Sequence, residues 1–501
     1  MKHIRQWLCA VLALALLLPL AACGEKEDPA KNPATTTASV GGENDPTGET
    51  TEKTDELVLD KTDLGGAALR VLGTGENYGY GYYETTDIWK EEDSAEAMDS
   101  VVYRRGLACE EKYNFKIDFL QSATVGDDIQ SQVHASLDEN DLFFLPWNQI
   151  YPMAAKGIMY DLREIPTIDL SNPWWDQNAN KDLSFANRLF YTTGELTTLD
   201  DKCTRYVYFN KNMLEDLGLG VNPYELVNEN KWTLDRFAEL AEAAANDVNG
   251  DGKVDDDDTI GFFIEGGQPL FFILGMGMKY VELDEEGFPQ FVFLQSSDDY
   301  TMLEKLGKLC NPPTVCHVND YKDLHGYTNK FTYARSLFAG GKHLFTIGGA
   351  LVITEFRDME DEFGILPMPM KDEEQTRYYH IIDTTTPLFA VPASVPDTTD
   401  LGYMLEYFSY EGMKMLTPVF RETLLERKYA RDAESADMLR LIFDNKAFDL
   451  CIIANWGGLR DVANDAILSG AAPRMSAYAS VQKVFPKLVQ KEYDALLKVG
   501  R

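Results

Sequence analysis

Between Ala68 and Pro146 the chain alternates short apolar runs with segments of helical periodicity, and that alternation limits the architecture more than any other feature. "ALRVLGT" (68–74) reads as a buried first strand and leads into a loop rich in Tyr and Gly. "SAEAMDSVVYRRGLACEEKYN" spaces its apolar residues as a helix does, and "FKIDFL" and "DLFFLP" read as further strands. Strand, helix and strand in succession imply parallel pairing, because parallel neighbours need a crossover rather than a tight turn. The pattern returns further on. Helical periodicity appears in "TLDRFAELAEAAAND", "SDDYTMLEKLGKLC", "TDLGYMLEYFSYEGMKML" and "ESADMLRLIFDN". Strand-like runs appear in "RYVYFN", "IGFFI", "KHLFTIG", "FGILPMP" and "LFAVP". A chain of 501 residues is too long for one ordinary core, so two or three domains are expected. No internal repeat at a solenoid period is present.

The first residues set the compartment. "MKHIRQWLCAVLALALLLPLAAC" has a short basic start (Lys2, Arg5) and an apolar stretch from Trp7 to Ala22, which is too short for a membrane-spanning helix. It ends in Leu20-Ala21-Ala22-Cys23-Gly24, which resembles the lipobox of bacterial lipoproteins. That resemblance implies cleavage before Cys23, lipidation of its thiol, and anchoring at the outer face of the cell membrane. From Gly24 to Glu56 there is one Val and no aromatic, Leu or Ile, so the segment cannot bury enough apolar area to offset chain entropy. It reads as a disordered tether. The formal charge is −36, and loss of Lys2 and Arg5 leaves the remainder at −38. So acidic a surface repels nucleic acid and anionic headgroups. Past Cys9 and Cys23, five cysteines remain: Cys109, Cys203, Cys310, Cys316 and Cys451. An odd number leaves at least one thiol free, and their spacing is not that of a zinc site.

"DVNGDGKVDDDD" (247–258) has the spacing of an EF-hand calcium loop, with Asp247, Asn249, Asp251, the Lys253 carbonyl, Asp255 and Asp258 at ligand positions and Gly252 at the sharp turn. An EF-hand needs a second helix after the loop, whereas "TIGFFI" reads as a strand. The loop is therefore expected to act at most as a structural Ca2+ clip, with no other cofactor required. The terminal Asp258 is shorter than the usual Glu, which weakens bidentate capture.

A set of ordered segments carries a wider resemblance: "AAKGIMYDLREIP", "DLSNPWWDQNAN", "RLFYTTGEL", "YVYFNKNMLEDLGL", "ELVNENKWTLDRFAELAEAA", "FAGGKHLFTIGG", "EFGILPMPMKDEEQTRYYH", "FAVP" and "NWGG". In this order they resemble the extracellular solute-binding lipoproteins of ABC transporters, in the carbohydrate-binding, maltose-type (family 1) branch, over roughly residues 69–497. The resemblance implies an α/β, two-lobe periplasmic-binding-protein fold (class II), each lobe a mainly parallel sheet flanked by helices, with the ligand cleft between the lobes. It implies a signal peptide at 1–22 and the lipidated tether at 23–56. The N-terminal lobe would take 57–204 and 385–444, and the C-terminal lobe 205–384 and 445–501. Crossings are expected near Cys203 to Tyr208 and Thr384 to Phe389, with another near Asp444. The implied role is capture of a carbohydrate, with an oligosaccharide favoured by the aromatic supply, by hinge closure. The closed form of a monomer would then pass the ligand to ABC permease subunits.

A sugar site needs flat rings for C–H faces and Asp, Glu, Asn or Arg for hydroxyls. The candidates are Tyr78, Tyr80, Tyr82 and Tyr83 beside Glu76, Trp147 at the end of "DLFFLP", Glu195, Asp200, Asp201 and Arg205 near the first crossing, and Trp456 in "NWGG". In maltose-type relatives Trp456 corresponds to a stacking tryptophan. Trp174 and Trp175, next to Pro173, read better as an anchor of a loop to the core. Within "TIGGALV", where the relatives place an aromatic, this chain has none. No nucleophile elbow, zinc-protease helix or phosphate loop is present, and the histidines show no ligand spacing. The chain is thus read as a binding protein rather than an enzyme. A surface glycoside hydrolase using cleft carboxylates is the alternative.

Overall fold

"LFFLP" and "YVYFN" contain almost no residue that prefers water, and both are buried along their whole length. Each forms the inside of a sheet covered on both faces, as parallel sheets require. The computed structural model describes residues 57–499 apart from 58, 76–77, 79–82, 254, 265–266, 427–432 and 471–474. The expected signal peptide (1–22) and the Cys23 tether (23–56) lie outside the described residues, as do Glu76, Tyr80 and Tyr82.

The first sheet contains β1 (Ala67–Thr74), β2 (Phe115–Ser122) and β3 (Leu142–Pro146). The second half contains β4 (Tyr206–Asn210), β5 (Phe262–Ile264), β6 (Val315–His317), β7 (Phe345–Gly348) and β8 (Phe363–Leu366), with β8-β4-β7 forming a three-stranded sheet and β5-β6 a two-stranded one beside it. The chain then returns to the first sheet as β9 (Pro387–Ala390). In the first sheet the order is β9-β3-β1-β2; β1 runs parallel to both neighbours, and β9 is antiparallel to β3. In the second half, β5 runs parallel to β6 and joins β7 through Phe345 N–H to Gly261 O at 2.8 Å, while β4 is antiparallel to β7 and β8. Both halves are therefore mainly parallel with one reversed strand, each placed where the chain enters a half from the other.

Helices cover the faces: α1 (Ala97–Tyr113), α2 (Val125–His134) and α3 (Trp147–Ala154) belong to the first half, and α4 (Pro269–Gly275) and α5 (Lys330–Ala339) to the second. The helix Leu234–Ala244 shows the local logic. Thr233 accepts the Arg236 N–H at its start, and Leu234, Phe237, Leu240, Ala241 and Ala244 form one buried stripe.

The halves meet along extended segments lying side by side. Thr204 and Ile382 form an antiparallel bridge, the Arg205 N–H donates to Ile381 O at 2.9 Å, and His380–Ile381 pairs in parallel with Lys446–Ala447. The return crossing thus lies at 380–383, just before the expected Thr384 to Phe389, because Pro387–Ala390 already belongs to the first sheet. One boundary differs more. Residues 433–443 were expected in the N-terminal lobe, but the helix Ala433–Phe443 packs on β8, where Ser435 Oγ accepts the Ile365 N–H at 3.1 Å. On the far side, α6 (Leu459–Leu468) and α7 (Met475–Leu496) lie over the second half, yet the chain end also grips the first: Arg188 Nη1 donates to Leu496 O at 3.0 Å. A hairpin tip joins them there, with the Ala186 N–H donating to Gly287 O at 3.0 Å.

Candidate functional site

A cavity of about 290 Å³ opens where the crossing strands meet both halves. The first half and the crossings contribute Tyr83, Arg205, Asp383 and Thr385, and the second half contributes Phe263, Gln268, Phe271, Asn329, Phe331, Arg335, Ile347, Leu351 and Val352. Tyr83 is set by the turn after β1, where its carbonyl accepts Thr74 Oγ1 at 2.6 Å. Its hydroxyl donates to Asp383 Oδ2 at 3.0 Å. Asp383 is also ion-paired with Arg205, and its other oxygen accepts both the N–H (2.9 Å) and Oγ1 (2.6 Å) of Thr385. Arg205 lies over the Phe271 ring at 5.6 Å, a cation–π arrangement. Arg335 grips Glu355 with two parallel bonds of 2.7 and 2.9 Å. Gln268 precedes α4 but makes no capping bond; it is 3% exposed and its Oε1 has no hydrogen-bond partner. The site therefore combines an apolar, aromatic wall with planar polar groups at its rim, the make-up of a small-molecule site. A larger groove of about 630 Å³ beside Lys211, Tyr224 and Glu434 borders only the second half and is more open, so its occupant would not bridge the two.

Of the expected contacts, Arg205 and Tyr83 line this cavity. Tyr78 hydrogen-bonds Gln149 on the first half. The others are placed elsewhere. Trp147 is fully buried at the start of α3, edge-on to Phe448 at 6.0 Å, because the strand end that carries it turns at once into a helix. Trp456 is also a packing residue: Phe185 and Phe485 press edge-on at 5.6 and 5.7 Å, and its Nε1 donates to Glu492 at 2.8 Å. With those neighbours in place no sugar can stack on it. Trp174 and Trp175 are anchors, both donating to Glu406, at 2.7 and 3.0 Å.

Asp200, expected as a ligand contact, does not line this cavity and belongs to a buried ionic knot. Lys446 Nζ lies 2.5 Å from Asp200, 2.8 Å from Asp201 and 3.4 Å from Asp176. Burial pushes the Asp200 carboxyl up to about 7, with Lys446 pulling down and Asp201 and Asp176 pushing up. Burial opposes the Lys446 charge, but the carboxylates more than offset it and hold the ammonium well above its ordinary value. Glu195 accepts the Thr417 hydroxyl and is raised by burial first and by Asp201 second. His343 and His380 are buried neutral, both pulled down to about 3.

In the acidic loop, Asp247 accepts the N–H groups of Gly250 (2.6 Å) and Gly252 (2.8 Å), and Asp258 those of Val248 (3.0 Å) and Asp255 (3.2 Å). Asn249 accepts the Asp251 N–H at 2.9 Å, and Asp251 accepts the Lys253 N–H at 2.9 Å. Gly252 has φ +76°, which a side chain would resist. The segment that follows is β5, as expected, so the loop is not part of an EF-hand. Among the described residues no three His, Cys, Asp or Glu side chains gather closely enough to hold a metal ion.

No protein-family model matches the chain, and no curated protein matches it in sequence. Solved structures do match in shape, across nearly all of the described residues. The fold is the two-lobe solute-binding fold. The maltose-type arrangement of two such lobes is seen in a cyclo/maltodextrin-binding protein complexed with maltotetraose, 13% identical at TM-score 0.54, covering 85% of this chain and 97% of that one. It is seen also in the sugar-binding protein MalE of Xanthomonas citri (14%, TM-score 0.53, covering 86% and 98%) and the GacH receptor of Streptomyces glaucescens, solved with acarbose (14%, TM-score 0.50, covering 85% and 99%). In this frame the cavity at Arg205 and Asp383 is the inter-lobe cleft, and the side-by-side strands at 204, 382 and 446 are the joints between the lobes. Sequence reasoning did not pick out Asp383, Gln268, Phe263 or Phe271. Each is ordinary in its local context, and only the pairing of distant crossings brings them together.

Proposed function

We propose that the chain is a surface solute-binding protein that captures a carbohydrate, an oligosaccharide by its aromatic supply, between its lobes and delivers it to an ABC permease. The observation that carries the reading is the inter-lobe cavity, whose aromatic wall and planar hydrogen-bonding rim are drawn from both halves. The structural neighbours solved with maltotetraose and acarbose support the carbohydrate assignment. A ligand held by Tyr83 and Arg205 on one side and by Phe271 and Gln268 on the other makes more contacts in the closed form, and that difference drives closure. The hydrolase alternative finds little support: Asp383 is the one carboxylate among the described lining residues, and its oxygens are already committed, whereas glycoside hydrolysis needs a pair. The protein works as a monomer, tethered through a lipid on Cys23 at the outer face of the cell membrane. Among the described residues no helix is long and apolar enough to cross a membrane. The loop oxygens of Asp247, Asn249, Asp251, Lys253, Asp255 and Asp258 are hard donors of the kind calcium takes, and a structural ion there would require the acidic side chains to draw closer together than they lie in this structure.

A thermal-shift screen of the full chain against neutral mono- and oligosaccharides tests the proposal. A sugar at about 100 times its dissociation constant stabilises by about 2.7 kcal/mol. A shift with one sugar class and no turnover of that sugar is the expected result. Turnover, or no shift across the panel, overturns it.

A further inference from the structure

Helix α7 buries Val481, Phe485 and Val489 against the body. Its opposite face carries Lys483, Lys487 and Lys491 at intervals of four, so they stand in one row, and Lys498 follows just past the helix end. All four are exposed, and none is ion-paired among the described residues. One step round the helix a second row runs beside the first: Val484 and Leu488, 44% and 39% exposed. Leu497, next to Lys498, is also exposed, so three of the ten large apolar side chains exposed among the described residues belong to this one segment. Between Ser476 and Val499 the four lysines face only two acids. One of them, Glu492, turns inward to accept Trp456 Nε1; the other, Asp494, accepts Gln490 Nε2 at 2.7 Å. In a chain of formal charge −36 this is a local reversal of sign.

A face that meets only water gains nothing from an apolar row. Nucleic acid would engage the lysines and leave Val484 and Leu488 without a partner. Cations beside apolar side chains suit a surface that is anionic outside and apolar beneath, which is the profile of a bilayer with acidic headgroups. Lysine stems can lie along the apolar layer while their ammonium groups stay among the headgroups. The acidity of the rest of the chain does not prevent this. Charges act over about 8 Å at physiological salt, and a folded body of this size is several times thicker. A headgroup layer touching α7 therefore meets the stripe and is screened from acids on the other faces. The acidic hairpin tip that Tyr493 contacts flanks the lysine row on the side away from Val484 and Leu488.

We propose that the outer face of α7 docks on an anionic lipid surface, with Lys483, Lys487, Lys491 and Lys498 meeting the headgroups and Val484 and Leu488 entering the boundary beneath them. The lipid on Cys23 brings the body within tether reach of such a surface, and the stripe decides which face turns towards it. This rests on the anchored reading above and extends it from the tether to the body.

Vesicle flotation tests the proposal, using the mature chain (residues 23–501) with Cys23→Ser so that no lipid contributes. Vesicles of phosphatidylcholine alone are compared with vesicles containing about one-third phosphatidylglycerol, at low and at high salt. Wild type binds the anionic vesicles, binds the neutral ones far less, and is released by salt. A lysine close to an anionic surface is worth about fivefold in partitioning, so Lys483→Glu/Lys487→Glu/Lys491→Glu loses about a hundredfold or more. Val484→Ser/Leu488→Ser binds less but keeps the salt dependence. Lys116→Glu/Lys231→Glu/Lys308→Glu makes the same change in net charge at exposed lysines elsewhere and keeps its binding. The inference is overturned if wild type does not bind, if it binds neutral vesicles equally well, or if the control variant loses as much as the stripe variant. Incorporation of labelled palmitate at Cys23 in the producing cell reports the anchor separately, so the stripe can fail while the anchored reading stands.

Discussion

Lys446 is ion-paired with three buried carboxylates, and Lys446→Met tests how much the joint between the lobes depends on it. The ammonium lies 2.5 Å from Asp200, 2.8 Å from Asp201 and 3.4 Å from Asp176; the other cation at the knot, Arg421, lies 3.7 Å from Asp201. Removing one partner of a buried ion pair costs about 3–5 kcal/mol. The loss has a ceiling, because the carboxylates can take up a proton instead. Holding one aspartate neutral costs about 1.4 kcal/mol for each unit by which the pH exceeds its unfolded pKa of about 3.9, so about 5 kcal/mol at pH 7.5 and about 2 kcal/mol at pH 5.5. The variant should therefore lose about 3–5 kcal/mol at pH 7.5 and at most about 2 kcal/mol at pH 5.5. At about 2.1 cal/mol/K of unfolding entropy per residue, roughly 450 folded residues give a melting-temperature drop of about 3–5 °C at the higher pH. Thermal melts at the two pH values, with Lys446→Met/Asp200→Asn as the partial-rescue control, measure this. A loss below 1 kcal/mol, or an equal loss at both pH values, would refute the reasoning.

Three further outcomes are expected. Trp456→Ala should cost about 3–5 kcal/mol of stability and leave ligand affinity unchanged, since the ring packs against Phe185 and Phe485 instead of a ligand; a selective loss of affinity contradicts this placement. Asp200 has a folded pKa of about 7, above its ordinary value of 3.8, so the stability it contributes is full below about pH 4 and is lost as the pH rises through 7. The melting temperature of Asp200→Asn relative to wild type should therefore rise between pH 5 and 8, and a flat difference refutes the assignment. Millimolar calcium should raise the wild-type melting temperature and leave Asp247→Asn/Asp258→Asn unmoved; absence of a wild-type shift removes the ion from the acidic loop.

Strands such as "YVYFN" were legible because a run with no polar face has only one place to go, the inside of a covered sheet. The strand after the acidic loop was legible for a related reason: Phe262, Phe263 and Ile264 suit a pleated, buried surface. The site was much less legible. An aromatic residue suits a core as well as a cleft, and nothing local to Trp456 signals that Phe185, far away in sequence, will occupy its flank. Nor does anything near Gln268 separate a capping side chain from one left without a partner. Asp383 gains its role only because 380–383 pairs with the strand carrying Arg205, a register that neither segment encodes alone. The helix at 433–443 was assigned to the wrong half because its amphipathic stripe specifies that it packs, and not which sheet receives it.

The five cysteines of the folded body are all buried and unpaired. Burial lifts the Cys203 thiol to about 11 and those of Cys109 and Cys316 to about 12, with Cys310 and Cys451 held well above their ordinary value. A protonated thiol shut away from solvent is neither a nucleophile nor a ready substrate for oxidants. The folded body thus holds its five thiols without forming a disulfide among them, and burial shields each from oxidants. The same silence makes it a ready chassis for a reagentless sensor. One cysteine introduced at the rim of the cleft, at Thr385 for example, would be the single reactive thiol of the folded body, and a dye placed there would report each closure without any native cysteine being removed.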